Sequence, residues 1–209
     1  ERKGKLERPG EPRSHKLKVV CKKCNSGWMS RLQNAVKPIL TPLLEGSWSK
    51  LTIPEQHKLS AWAVMFTMVV EYSDEQNLCT PQEQRDFLRT HSLPPKFWHV
   101  WVGRHEYPES FFRRWSLIQQ GLPVSRDNRN DCILGLTVLA AGCAVFQTIG
   151  YKAPVPAPGL ISKLDVHAHS IGLQRIWPAR NLFRRTAPTS IRAAGVEPYI
   201  RSAVGILGA

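Results

Sequence analysis

No Walker loop, no G-x-G-x-x-G turn and no G-x-S-x-G elbow occurs in these 209 residues. The sequence therefore offers no P-loop phosphate cradle, no dinucleotide fingerprint and no serine-hydrolase nucleophile on an elbow. Internal repeats are missing too, which sets aside solenoids and propellers. The N-terminal stretch is basic without an apolar core region, so it does not read as a secretory signal. Acids are scarce, with sixteen Asp and Glu against twenty-nine Lys and Arg, a net charge of +13. Cysteines are few and odd in number, five in all, which excludes a secreted disulfide scaffold and points to a reducing, cytoplasmic compartment. Cys79, Cys132 and Cys143 have no metal-ligand spacing and read as small hydrophobes.

The excess charge is not spread evenly. Residues 1–37 hold eleven basic residues against three acids, residues 175–209 hold six against one, and residues 38–174 balance at twelve each. A neutral body with two basic ends suits contact with phosphate, because each neutralised phosphate releases counterions whatever the base sequence. Residues 1–14, rich in Pro, Gly and charge, are expected to be disordered in isolation. Lys16, Lys18, Lys22 and Lys23 flank Cys21 and Cys24 and are the candidate nucleic-acid contacts.

Cys21-Lys22-Lys23-Cys24-Asn25-Ser26-Gly27-Trp28 is the most informative stretch. Two cysteines two residues apart can share one Zn²⁺, but a closed tetrahedral site takes four ligands, so two more must come from elsewhere. By itself a C-x-x-C is equally a redox pair or a chance spacing. Val19-Val20 reads as a strand end, Gly27 as a turn and Trp28 onward as a helix, which places the thiols on a strand-turn-helix junction.

The string CKKCNSGWMSRL resembles the C-terminal part of the zinc-containing HNH endonuclease domain, in which the last C-x-x-C runs into an Asn on the helix of a ββα-metal fold. The resemblance covers Val19 to about Leu32, with Ala35 to Pro38 and the late Arg175-Ile176-Trp177-Pro178 beside it. It implies that Cys21 and Cys24 are structural zinc ligands and that Asn25 is the catalytic residue that binds Mg²⁺ or another divalent cation. The family's earlier C-x-x-C and its Glu-His or Asp-His pair, whose His is the general base, do not occur before Cys21; His15 follows Ser14. The chain begins at Glu1, and truncation of the parent is the expected reason, leaving a chain that is inactive as it stands.

Downstream, Trp28 to Glu45 reads as a helix bent or split near Lys37 by Pro38 and Pro42, and ended by Gly46. Thr52 and Glu55 form a capping box with Pro54 in the first turn. They start a helix to about Tyr72 whose Leu59, Trp62, Ala63, Phe66, Val69 and Val70 make an apolar stripe. Thr80, Pro81 and Glu83 start a shorter helix ending near His91, which makes His57 and His91 surface residues of helices. Phe97 to Gly103 reads as a strand with Trp98 and Trp101 in the core, and Phe111 to Gln120 as a helix or irregular linker. Cys132 to Gly150 is nineteen residues without a charge, long enough for a membrane span. Its glycines divide it, and two buried strands joined near Ala141-Gly142 are the preferred reading. Lys163 to His169 reads as a strand with His167 and His169 on one face, a polar sheet face rather than a metal pair.

The expected fold is α+β: a partial ββα-metal zinc knuckle, then helices and a small, mostly antiparallel sheet. The expected divisions are a basic arm and knuckle over 1–45, an α+β unit over 46–180 and a loosely ordered basic tail over 181–209. The expected function is a fragment of an HNH-type metal-dependent DNA endonuclease, with DNA as partner, zinc and a second divalent cation as metals, and neither a membrane nor a small-molecule cofactor. The alternative is a non-catalytic nucleic-acid-binding or interaction protein stapled by the knuckle; a membrane-associated protein using Cys132 to Gly150 is the third possibility.

Overall fold

The computed structural model describes residues 19–73, 78–118, 132–152, 159–179, 198, 201–203 and 205. The fold is α+β, with helices packed on both faces of an antiparallel sheet. In chain order the elements are α1 (Lys22–Cys24), a π-helical turn (Asn25–Met29), α2 (Ser30–Leu44), α3 (Ile53–Val70), a 3₁₀ turn (Glu71–Ser73) and α4 (Gln82–His91). There follow β1 (Trp98–Ile118), β2 (Cys132–Tyr151), α5 (Leu160–Ser170) and β3 (Gln174–Trp177). The described sheet has the order β2-β1-β3, with β1 antiparallel to both neighbours.

The helix starts and stops follow local chemistry. The Thr52 Oγ1 accepts from the Glu55 N–H at 3.4 Å, while the Glu55 carboxylate accepts from the Thr52 N–H at 2.7 Å. This reciprocal capping box satisfies two donors that the first turn of α3 would otherwise leave bare. α2 ends in a Schellman turn, because the Ser47 N–H reaches the Pro42 carbonyl at 2.8 Å and the Gly46 N–H the Leu43 carbonyl at 3.2 Å. Gly46 takes the left-handed conformation that such a turn requires, with φ of 85°.

Pro38 and Pro42 do not split α2, which runs unbroken from Ser30 to Leu44. The carbonyls they leave without a helical donor belong to Asn34 and Pro38, both on the exposed side, where water can bond them. Leu32, Val36 and Leu43 face the core instead. α3 is not a one-sided amphipathic helix either. Leu59, Ala63, Val64, Met68 and Val70 are buried together with Gln56, Ser60 and Thr67, so the helix is enclosed on nearly all sides.

The sheet separates two cores. Val100 and Val102 of β1, with Ala144 and Phe146 of β2, pack against α2 and α3. Trp101, Val145 and Ile149 face the other way, toward Leu160, Leu164 and Ala168 of α5. On the first half of β2, Leu134, Leu136, Val138 and Ala140 also face α5, so the inward positions switch from even to odd numbers near Gly142. The cause is a bulge: Ala144 pairs with Arg104 but Gly142 pairs with Glu109, and the extra residues of β1 shift the pairing by an odd step.

Four expectations about strands are corrected by this arrangement. Val19 and Val20 form no strand, so the cysteines follow an extended lead-in rather than the β-hairpin of a ββα knuckle. Phe111 to Ile118 is the second half of β1, where successive residues pair along β2, not a helix or linker; Gln119 and Gln120 lie outside the described residues. Cys132 to Gly150 is one strand with a bulge rather than two strands, and among the described residues no helix is long and apolar enough to cross a membrane. Lys163 to His169 lies in α5, since Leu160, Leu164 and Ala168 recur every fourth residue and fill one core. His167 and His169 therefore stand about 200° apart around a helix instead of sharing a sheet face.

Cys79 is also not a plain small hydrophobe, because it is disulfide-bonded. Cys21, Cys24 and Cys143 are free, and the Cys132 side chain lies outside the described residues. Beside Cys79 the buried Glu71 carboxylate accepts from Thr80 Oγ1 at 2.8 Å, pairs with Arg85, and has Arg114 Nη2 at 3.7 Å. This cluster ties the end of α3 to α4 and β1. Residues 1–18, including Lys16 and Lys18, lie outside the described residues, as does most of 181–209. Of that tail, 201–203 are helical and Ala203 is buried in the core under α5.

Candidate metal centre and its cavity

Cys21 stands at the N-cap of α1 with extended φ and ψ of −68° and 155°. That geometry turns its sulfur back over the first turn, where the Cys24 N–H donates to Sγ at 3.4 Å. The Asn25 N–H closes the turn on the Cys21 carbonyl at 3.0 Å, and Ser26 Oγ donates to the Lys22 carbonyl at 2.7 Å. At Gly27 the backbone leaves helical values, with φ −97° and ψ −110°, before Met29 enters the core and α2 begins. The cysteine turn is thus a short device of its own, set off from α2 by a kink and held to the body by Trp28, Met29 and the half-buried Cys24.

The Cys21 thiol is held below its ordinary pKa, first by the Cys24 backbone N–H and then by a side-chain hydrogen bond with Cys24, both of which favour the thiolate. Cys21, Lys22, Lys23 and Asn25 are exposed. The turn therefore presents one sulfur, one carboxamide and two ammonium groups to solvent within five residues, with the second sulfur half-buried behind them.

Behind the sulfurs lies a cavity of about 220 Å³ between this turn, α3 and α4. Cys21, Cys24, Trp28, Met65, Met68 and Arg85 are among its walls. The indole Nε1 of Trp28 is buried there without a hydrogen-bond partner. Nothing in the local pattern of α3 or α4 announced these walls: the stripe read on α3 ran through Leu59, Trp62, Ala63, Phe66, Val69 and Val70 and passed over Met65 and Met68, and no signal singled out Arg85.

Of the residues expected to make the site, Cys21, Cys24, Asn25, Lys22 and Lys23 are brought together on one turn. Trp98 and Trp101 are core residues as expected, buried and bonded through their indole N–H groups to Gln84 at 2.7 Å and Asp165 at 2.9 Å. His57 is half-buried against Trp177 and His91 is exposed at the end of α4. Among the described residues no group of three or more His, Cys, Asp or Glu is placed to hold a metal ion. The donor set at the cysteine turn is therefore two thiols, half of what a closed zinc site requires.

No family model, no curated protein and no solved structure matches the chain.

Proposed function

We propose that this chain carries part of an HNH-type, metal-dependent DNA endonuclease centre. The observation that supports the reading is the placement of Cys21, Cys24 and Asn25 on one accessible turn, with Lys22 and Lys23 exposed between the sulfurs. In this reading the two thiols are two of the four ligands of a structural zinc, and Asn25 is one ligand of the catalytic cation. The other donors and the base come from outside the described residues. An amide such as Asn25 accepts no proton from water, and phosphodiester hydrolysis needs both a base and a cation. The chain as given binds DNA and does not cut it.

The second reading is a nucleic-acid-binding protein without chemistry, in which the turn only secures the basic arm. The two-thiol donor set favours it. A plasmid-nicking assay, with Mg²⁺ and with EDTA, separates the two when run on residues 1–209 and on a version lengthened upstream. The nuclease reading expects metal-dependent nicking by the longer protein only, abolished by Asn25→Ala. Absence of nicking by both proteins, with DNA still bound, supports the second reading. Metal-dependent nicking by residues 1–209 alone would overturn the division of the centre proposed here.

A further inference from the structure

We propose that Cys21 and Cys24 act as a reversible dithiol–disulfide pair that exchanges electrons with small, negatively charged disulfides. The inference rests on the shortfall of metal donors at this turn and on its geometry, not on the nuclease reading. Among the described residues no third or fourth ligand joins the two thiols, and two cysteines one turn apart, with the Cys24 N–H on the Cys21 sulfur, are placed to join.

Three features of the turn suit that chemistry. First, the sulfurs differ in access: Cys21 is exposed and Cys24 is half-buried beneath it. This fixes the order of attack, with Cys21 meeting an incoming disulfide and Cys24 resolving the adduct. Second, closing the bond asks for little rearrangement. The Cys24 N–H is already 3.4 Å from the Cys21 sulfur, α1 buries no residue, and an added Cβ at Gly27 would meet nothing within 4 Å. Neither a buried residue of α1 nor a neighbour at Gly27 opposes a small adjustment of the turn toward disulfide geometry. Third, the surroundings are cationic. Lys22 and Lys23 lie exposed between the cysteines and supply the excess charge, since of the cavity's arginines Arg85 is paired with Glu71 and Arg89 with Asp86. Such a field draws anionic partners.

In the exchange, the Cys21 thiolate attacks one sulfur of the small disulfide, forming a mixed disulfide and releasing one thiolate. Cys24 gives up its proton to solvent and attacks the Cys21 sulfur. The Cys21–Cys24 bond forms and a second small thiolate leaves. Two electrons pass from the pair to the small disulfide, and small thiols drive the reverse.

Oxidised glutathione is the probe. The metal-free chain is equilibrated with it, quenched with iodoacetamide and mapped by peptide mass. The expected result is a Cys21–Cys24 peptide lighter by two hydrogens, with alkylation of both cysteines reduced by about tenfold or more and restored by excess reduced glutathione. Cys24→Ser is expected to stop at glutathione joined to Cys21, whereas Cys21→Ser gives at most a minor adduct at Cys24. Free, fully alkylated Cys21 and Cys24 after equilibration would overturn the proposal, and so would equal glutathione adducts in the two serine variants. Zinc that survives dialysis against a mild chelator, measured separately, would show that further donors close the site and would overturn the proposal too.

Discussion

The buried indole N–H of Trp98 donates to Gln84 Oε1 at 2.7 Å, and the same Gln84 donates its Nε2 to the Tyr151 carbonyl at 3.1 Å. One amide thus joins α4 to both long strands at the end of the sheet. Gln84→Leu leaves a buried donor and a buried acceptor without partners. A loss of about 2–3 kcal/mol is expected in urea unfolding, with the slope unchanged. A loss below about 0.5 kcal/mol would show that water or a rearranged neighbour replaces the amide.

Glu71 is the carboxylate shared by Thr80, Arg85 and Arg114, and it is 1% exposed. Glu71→Gln keeps the shape but removes the negative charge between two guanidinium groups. The expected cost is about 3 kcal/mol, since removing one member of a buried pair strands the other. Because the cluster is buried, the cost should hardly change with added salt. A strongly salt-dependent cost would indicate that the cluster is open to solvent.

Glycine positions with the same backbone sign should respond differently. Gly142 and Gly159 both have positive φ, 54° and 85°. A Cβ on Gly142 would also run into the backbone of Leu44, while one on Gly159 would meet nothing within 4 Å. Gly159→Ala is therefore expected to cost about 1 kcal/mol, and Gly142→Ala at least about 2 kcal/mol more. Equal losses in thermal unfolding would mean that the bulge relaxes away from α2.

The Glu55 carboxyl is held below the ordinary glutamate value by hydrogen bonds from the Thr52 hydroxyl and then the Thr52 backbone N–H. A carboxyl whose folded-state value is depressed adds stability that is present above its unfolded value and is lost as pH falls through the folded one. The thermal midpoint of the native chain should therefore exceed that of Glu55→Gln at neutral pH and converge with it in acid. A gap that stays constant from neutral to acid pH would rule out the ionised cap.

If the exposed lysines of the cysteine turn touch phosphate, binding to duplex DNA should weaken steeply with salt. Replacing Lys16, Lys18, Lys22 and Lys23 with Gln should flatten that dependence by about 0.9 for each phosphate that is no longer neutralised. An unchanged slope in a fluorescence-anisotropy titration would assign the four lysines to solvent.

What the sequence determined by itself was local. The capping box of Thr52 and Glu55, the stop at Gly46, the extents of α3 and α4 and the turn that gathers Cys21, Cys24 and Asn25 depend on residues three or four apart, whose chemistry is visible in any short window. The burial of Trp98 and Trp101 was legible from their place in an aromatic, β-branched run. Even α5 had its signal in Leu160, Leu164 and Ala168, masked by the alternation of His167 and His169.

Tertiary structure decided the rest, because pairing and enclosure are non-local. Phe111 to Ile118 is a strand because β2 lies beside it, and β2 changes its inward parity because the Gly142 bulge meets an excursion of β1. α3 is enclosed on nearly all sides because α2, α4 and the sheet surround it, a fact no stripe of its own records. The cavity behind the cysteines exists because Met65 and Met68 of α3 and Arg85 of α4 arrive there from far along the chain. Spacing put two sulfurs on one turn; only packing could determine whether further donors came to join them, and among the described residues none did.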